Sequence, residues 1–115
     1  MNLFCRLPYA NQLCVKLVQS DKFWKKIAGF TLSARIYQKL TNKEIELIVS
    51  EAVKNSATEE IFLYKSIALS LSRMSRKGRS TADFILNEME VFAHSEIRGQ
   101  QYILHEVKEE IDFFL

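Results

Sequence analysis

The chain has 115 residues, 48% of them hydrophobic and 11% aromatic, and a formal net charge of +2, a balance that excludes a disordered chain and suits one domain with one core. Its longest apolar runs, such as residues 67–71, fall far short of the ~20 residues that a membrane-spanning helix requires. Three glycines, one proline and no stretch of strict alternation leave little material for hairpins, so the expected class is all-α.

The opening Met1-Asn2-Leu3-Phe4-Cys5-Arg6-Leu7-Pro8 lacks the charged start and long apolar centre of a secretion signal, and a cytoplasmic location is expected. A first helix is expected over residues 9–19, with Pro8 in its first turn, where a missing N–H has no partner to lose. Ser20 or Asp21 caps a second helix that reaches Leu40. The third, over residues 43–54, follows the capping pattern Thr41-Asn42-Lys43-Glu44 and carries Ile45, Ile48, Val49, Ala52 and Val53 as one stripe. Thr58 caps a fourth over residues 59–74, apolar on nearly all sides and so expected at the centre of the fold. The fifth is expected over residues 82–94, after the capping pattern Ser80-Thr81-Ala82-Asp83. Ser95 opens the sixth, whose stripe Ile97, Leu104, Val107, Ile111 and Phe114 runs to the chain end. Short connections predict that consecutive helices pack as antiparallel hairpins.

An internal echo organises these elements. Phe23-Trp24-Lys25-Lys26-Ile27-Ala28-Gly29-Phe30-Thr31-Leu32 returns 39 residues later as Phe62-Leu63-Tyr64-Lys65-Ser66-Ile67-Ala68-Leu69-Ser70-Leu71. Ile45, Leu47, Glu51 and Ser56 reappear in the same register as Phe84, Leu86, Glu90 and Ser95. A period near 40 residues with two helices per unit is the pattern of stacked helical pairs, in which no unit buries its apolar face alone. In this register Lys26 and Lys65 are equivalent, Lys22, Lys26, Gly29 and Ser33 form a polar face, and Trp24 is a packing residue at the junction between units.

Charge divides unevenly: residues 1–58 hold nine Lys/Arg against four Asp/Glu, and residues 59–115 hold seven against ten. Within the acidic half, Arg73, Arg76, Lys77 and Arg79 crowd one helix end ahead of the next helix start. Such a cluster can grip phosphates through guanidinium groups and exposed N–H donors, or can simply complement the negative end of a helix and solvate a loop. With Lys25, Lys26 and Lys65 on one curved surface, these cations would line an anion groove. Cys5 and Cys14 have neither zinc nor disulfide spacing and read as small apolar residues. His94 and His105 lie on separate expected helices, which argues against a metal site, and His94 near a helix end suits the dipole. Glu106, Glu109, Glu110 and Asp112 form an acidic run that could hold a paired-carboxylate site, though such runs are most often a solvated face. No glycine-rich phosphate loop or nucleophile elbow is present, and no cofactor is expected.

Ser20-Asp21-Lys22-Phe23-Trp24-Lys25-Lys26-Ile27-Ala28-Gly29-Phe30 resembles the helix opening of the DNA alkylation repair family, HEAT-like repeat glycosylases with a serine, then a tryptophan followed by two basic residues and a small one. Residues 64–77, from Tyr64-Lys65-Ser66-Ile67 to Ser75-Arg76-Lys77, are similar to a later helix of that family, and Leu7-Pro8-Tyr9-Ala10 resembles a segment of divergent members. The resemblance covers most of this chain but only the later part of the usual family domain. It implies an all-α, HEAT-like or armadillo-like α-α superhelix of about three helix pairs, a single domain over residues 1–115 whose concave basic face holds duplex DNA. The family's active members excise alkylated bases, yet residues 4–19 contain no carboxylate and Leu69 stands where the family places a tryptophan. No catalytic residue is therefore assigned. The expected function is nucleic-acid binding without catalysis, through Lys25, Lys26, Lys65, Arg73, Arg76, Lys77 and Arg79. The alternatives are a protein-interaction or self-associating scaffold with an apolar end at Ile111-Asp112-Phe113-Phe114-Leu115, and an active glycosylase.

Overall fold

Six α-helices and two short 3-10 segments make up residues 9–114, the part of the chain that the computed structural model describes, with no strand among them. They are α1 (Ala10–Val18), α2 (Phe23–Ile36), α3 (Asn42–Lys54), α4 (Ile61–Ser75), α5 (Arg79–Glu88) and α6 (Arg98–Phe114). The 3-10 segments Tyr37–Lys39 and Met89–Phe92 extend α2 and α5. The expectations for Cys5, Pro8 and Leu115, and for the start of the Leu7-Pro8-Tyr9-Ala10 segment, lie outside the described residues.

The strongest helix start is that of α3. Thr41 accepts a hydrogen bond from the Glu44 N–H at 3.2 Å, and the Glu44 carboxylate accepts one from the Thr41 N–H at 2.9 Å, so two otherwise orphaned donors are satisfied reciprocally. Asn11 of α1 reaches across to the same glutamate at 3.0 Å and to the Lys39 carbonyl at 2.9 Å, tying three elements together.

Other expected caps are corrected. Ser20, Thr58 and Ser95 each hold an N–H two residues on (Lys22, Glu60 and Ile97) and so shape the approach to α2, α4 and α6 rather than capping them. Helix α5 begins at Arg79 with Gly78 as its N-cap and no side-chain cap, so the Ser80-to-Asp83 capping pattern is not used. Helix α2 ends at Ile36 instead of Leu40, because the chain tightens into a 3-10 turn and then extends to bury Leu40.

Packing departs from consecutive hairpins. Helix α1 packs on α2, but α2 packs chiefly on α4 and α4 on α6, while α2 and α3 make little direct contact. Helices α3 and α5 lie against each other and against α4, and α1 also reaches α3. Helix α4 is thus central, as its apolar circumference predicts, and buries Leu63, Ile67, Leu71 and Met74. In α6 the buried stripe is Gly99, Ile103, Val107 and Ile111; Ile97 and Phe114 are exposed and Leu104 only partly covered, correcting three of the five expected positions.

Small residues set the close approaches. A Cβ on Gly29 would lie 2.7 Å from the Val18 backbone nitrogen and 2.8 Å from Leu17 Cβ, so α1 can sit this near α2 only over a glycine. A Cβ on Gly99 would run into the Thr58 carbonyl and lie 2.8 Å from that of Ser56, which plays the same part where α6 starts. Between α2 and α4, the Ser33 and Ser70 hydroxyls meet at 2.5 Å. Ser33 already donates to the Phe30 carbonyl at 2.6 Å, so Ser70 must be the donor of the pair.

These contacts also fix direction. Ser33 meets Ser70 in the second half of both helices, and seven residues further on in each Lys77, just past α4, donates to the Leu40 carbonyl just past α2. Tyr64 and Tyr102 stack with ring centroids 5.1 Å apart near the starts of α4 and α6, and Arg76 meets Glu110 near their ends. Helices α2, α4 and α6 therefore run parallel as a row.

Candidate functional site

The seven cations expected to line one groove divide into two groups. Arg76 pairs with Glu110 and lies over the Phe114 ring, 4.0 Å from its centroid. Lys77 bonds the Leu40 carbonyl, and Arg79 pairs with Asp83 at 3.3 Å one turn further along its own helix. Arg76 and Lys77 thus hold the end of α4 against α6 and α2, while Arg79 makes only an exposed pair within α5. Lys25, Lys26, Lys65 and Arg73 make no ion pair within 4 Å among the described residues.

The spacing of the helix starts gives a register that does not pair Lys26 with Lys65. Helix α4 starts 38 residues after α2, from Phe23 to Ile61, and α5 starts 37 after α3, from Asn42 to Arg79. At a spacing of 38, buried Gly29, Phe30, Ser33 and Ile36 fall on buried Ile67, Ala68, Leu71 and Met74. The sequence echo at 39 instead matches buried Phe30 to Leu69, which is 37% exposed. In the structural register Lys26 corresponds to Tyr64, and Lys65 to Ile27. Trp24 corresponds to Phe62, and neither packs at a junction: they are 66% and 75% exposed.

The exposed face of α4 carries Phe62, Lys65, Leu69, Arg73 and the partly covered Arg76 on one stripe. Between this stripe and α6 runs an open groove of about 310 Å³, with Lys65, Arg73 and Arg76 on the α4 wall and Tyr102, Glu106 and Glu110 on the α6 wall. Ala68, Leu69 and Ser72 complete its lining. One wall is cationic and the other anionic, so the groove as a whole does not favour a polyanion. Burial, with help from Glu106 and Tyr64, raises the Tyr102 hydroxyl above its ordinary value.

The helix start behind the basic cluster is no better suited to phosphate. The beginnings of α3 and α5 face each other across a groove of about 190 Å³ lined by Asn42, Glu46, Ser80 and Thr81 together with Ile45 and Phe84, and Glu46 sets negative charge there.

The acidic run on α6 holds a spacing that sequence reasoning passed over. His105 lies 3.3 Å from Glu109, one turn on, and Glu106 completes a group whose ligand atoms fall within 4.8 Å of one another. His105 and Glu109 are exposed and Glu106 is half-buried, an ordinary arrangement on a solvated helix face. His94 lies in the exposed turn after the 3-10 segment, not on a helix.

Cys14 behaves as an apolar residue. It is fully buried, its thiol donates to the Gly29 carbonyl at 3.3 Å, and burial, reinforced by Glu44, pushes its pKa up to about 12. Among the described residues no helix is long and apolar enough to cross a membrane. Tyr102 of the groove was passed over in the sequence, as was the exposed stripe to which Phe62 and Leu69 belong. The stripe's signal was present in the i, i+3, i+7 and i+11 spacing of Phe62, Lys65, Leu69 and Arg73. Compared with known proteins, the chain matches no protein family, no curated protein and no solved structure.

Proposed function

We propose that this chain is a non-catalytic helical-repeat scaffold that docks a protein partner on the outer face of α2, α4 and α6. A HEAT-like pile, of the kind the DNA alkylation repair family builds, accounts for the parallel row and for helix starts recurring at 38 and 37 residues. The observation that carries the function is the exposure of Trp24, Phe62, Leu69 and Phe113, at 66%, 75%, 37% and 82%, beside cations and an acid that have no internal ion pair. Scattered apolar residues need no explanation, but Trp24 and Phe62, aromatic side chains at equivalent positions of two neighbouring helices, form a surface that water covers poorly.

Immobilised wild-type chain should retain a defined set of proteins from a cell extract that the Trp24→Ser/Phe62→Ser double variant, equally helical, does not. Equal retention by both would remove the reading.

Nucleic acid is the second reading, favoured by Lys25 beside Trp24 and by Lys65 one turn from Phe62, since lysines and exposed rings can hold a strand by phosphate contact and stacking. It predicts binding that weakens steeply with salt and that is lost in Lys25→Ala/Lys26→Ala/Lys65→Ala. Duplex DNA that binds this variant as well as wild type would exclude it.

A further inference from the structure

We propose that the groove between α4 and α6 is a self-complementary surface that takes a second copy of this chain, an inference that rests on the docking reading above and names its partner. Lys65 and Arg73 line the α4 wall and Glu106 the α6 wall, yet none of them makes an ion pair within 4 Å among the described residues. Charges of both signs, held a groove's width apart and left open, match a partner carrying the same two signs in the opposite order.

A second copy does this by symmetry. Because α4 and α6 run parallel, with Tyr64 level with Tyr102 and Arg76 level with Glu110, a two-fold axis laid along the groove sets each copy's α4 over the other's α6 at the same depth. Lys65 then comes to the level of Tyr102 and Glu106, and Arg73 to that of Glu106 and Glu109. Leu69, 37% exposed, lies near the axis and meets its counterpart, giving the interface an apolar centre with a charged rim. The contact is isologous and closes at two copies.

The sign pattern supplies the test. Lys65→Glu/Arg73→Glu leaves the open charges on both sides of the groove acidic, and Glu106→Lys/Glu109→Lys, which reverses Glu106 of the α6 wall and Glu109 three residues on, leaves them basic. These side chains are exposed or half-buried, so each variant should keep the helical circular dichroism of wild type. Sedimentation velocity should show a wild-type dimer that dissociates as salt rises, and each variant alone should associate about a hundredfold more weakly. An equimolar mixture of the two variants should restore a one-to-one dimer, because both of its α4–α6 contacts again join opposite charges. The single exchanges Arg73→Glu and Glu106→Lys repeat the test if a double variant loses helicity. Monomeric wild type at low salt, a dimer untouched by charge reversal, or a mixture that stays monomeric would each overturn the proposal. A monomeric wild type that still retains proteins through Trp24 and Phe62 would leave the docking function standing and remove only the second copy as its partner.

Discussion

Gly29 and Cys14 face each other where α1 crosses α2, and each makes a residue-scale prediction. Gly to Ala in a helix interior ordinarily stabilises by about 1 kcal/mol, but the Cβ here would lie 2.7 Å from the Val18 backbone nitrogen, which cannot swing away. Overpacking of this kind costs about 1–3 kcal/mol, so steric cost should win and Gly29→Ala should lower the urea midpoint. The Cys14 thiol is raised from 9.0 to about 12, chiefly by burial, so the folded state keeps a proton that the unfolded state releases. Its contribution to stability is therefore complete below pH 9.0 and is lost as pH rises toward about 12. Urea midpoints followed from neutral pH to about 11 should fall more steeply for wild type than for Cys14→Ala, and parallel slopes would contradict this. The same burial should keep Cys14 from alkylation in the folded chain, with Cys5→Ser used to isolate its signal.

At the scale of elements, the two capping patterns written in similar residues have different fates. Thr41 closes a reciprocal box with Glu44, whereas Ser80 lies inside α5 and caps nothing. Thr41→Ala should cost about 1 kcal/mol in denaturant unfolding, while Ser80→Ala should stay within about 0.5. The all-helical class, the six helices, the α3 stripe and the central place of α4 were legible because each rests on local chemistry or on periodicity over a dozen or more residues. The apolar circumference of α4 says that neighbours surround it, but not which ones. That choice falls to Gly29, Gly99 and the Ser33–Ser70 pair, small residues whose meaning exists only once two helices touch. The one-residue slip from the 39-residue echo to the 38-residue structural spacing had the same origin. Identities such as Lys26 and Lys65 drew the alignment at 39, whereas a spacing of 38 matches buried Phe30 to buried Ala68.

Across the whole molecule, two members of the basic cluster that stood out in sequence, Arg76 and Lys77, join helices, and the proposed docking surface is the outer face of α2, α4 and α6. Arg76 ties α4 to α6 through Glu110 and Phe114, and Lys77 ties α4 to the end of α2. What the sequence offered as a phosphate grip is in this respect the clasp that holds the row together at its C-terminal edge. None of this was visible without the fold, because Glu110 and Leu40 lie 34 and 37 residues from the cations they hold. The most direct measurement of the central claim is a series of backbone amide spectra recorded from dilute to concentrated protein. Shifts that move with concentration should cluster on Phe62, Lys65, Leu69, Arg73, Tyr102, Glu106 and Glu109, and should recede when salt is added. Spectra that superimpose throughout the series, or shifts gathered on α3 and α5 instead, would contradict it.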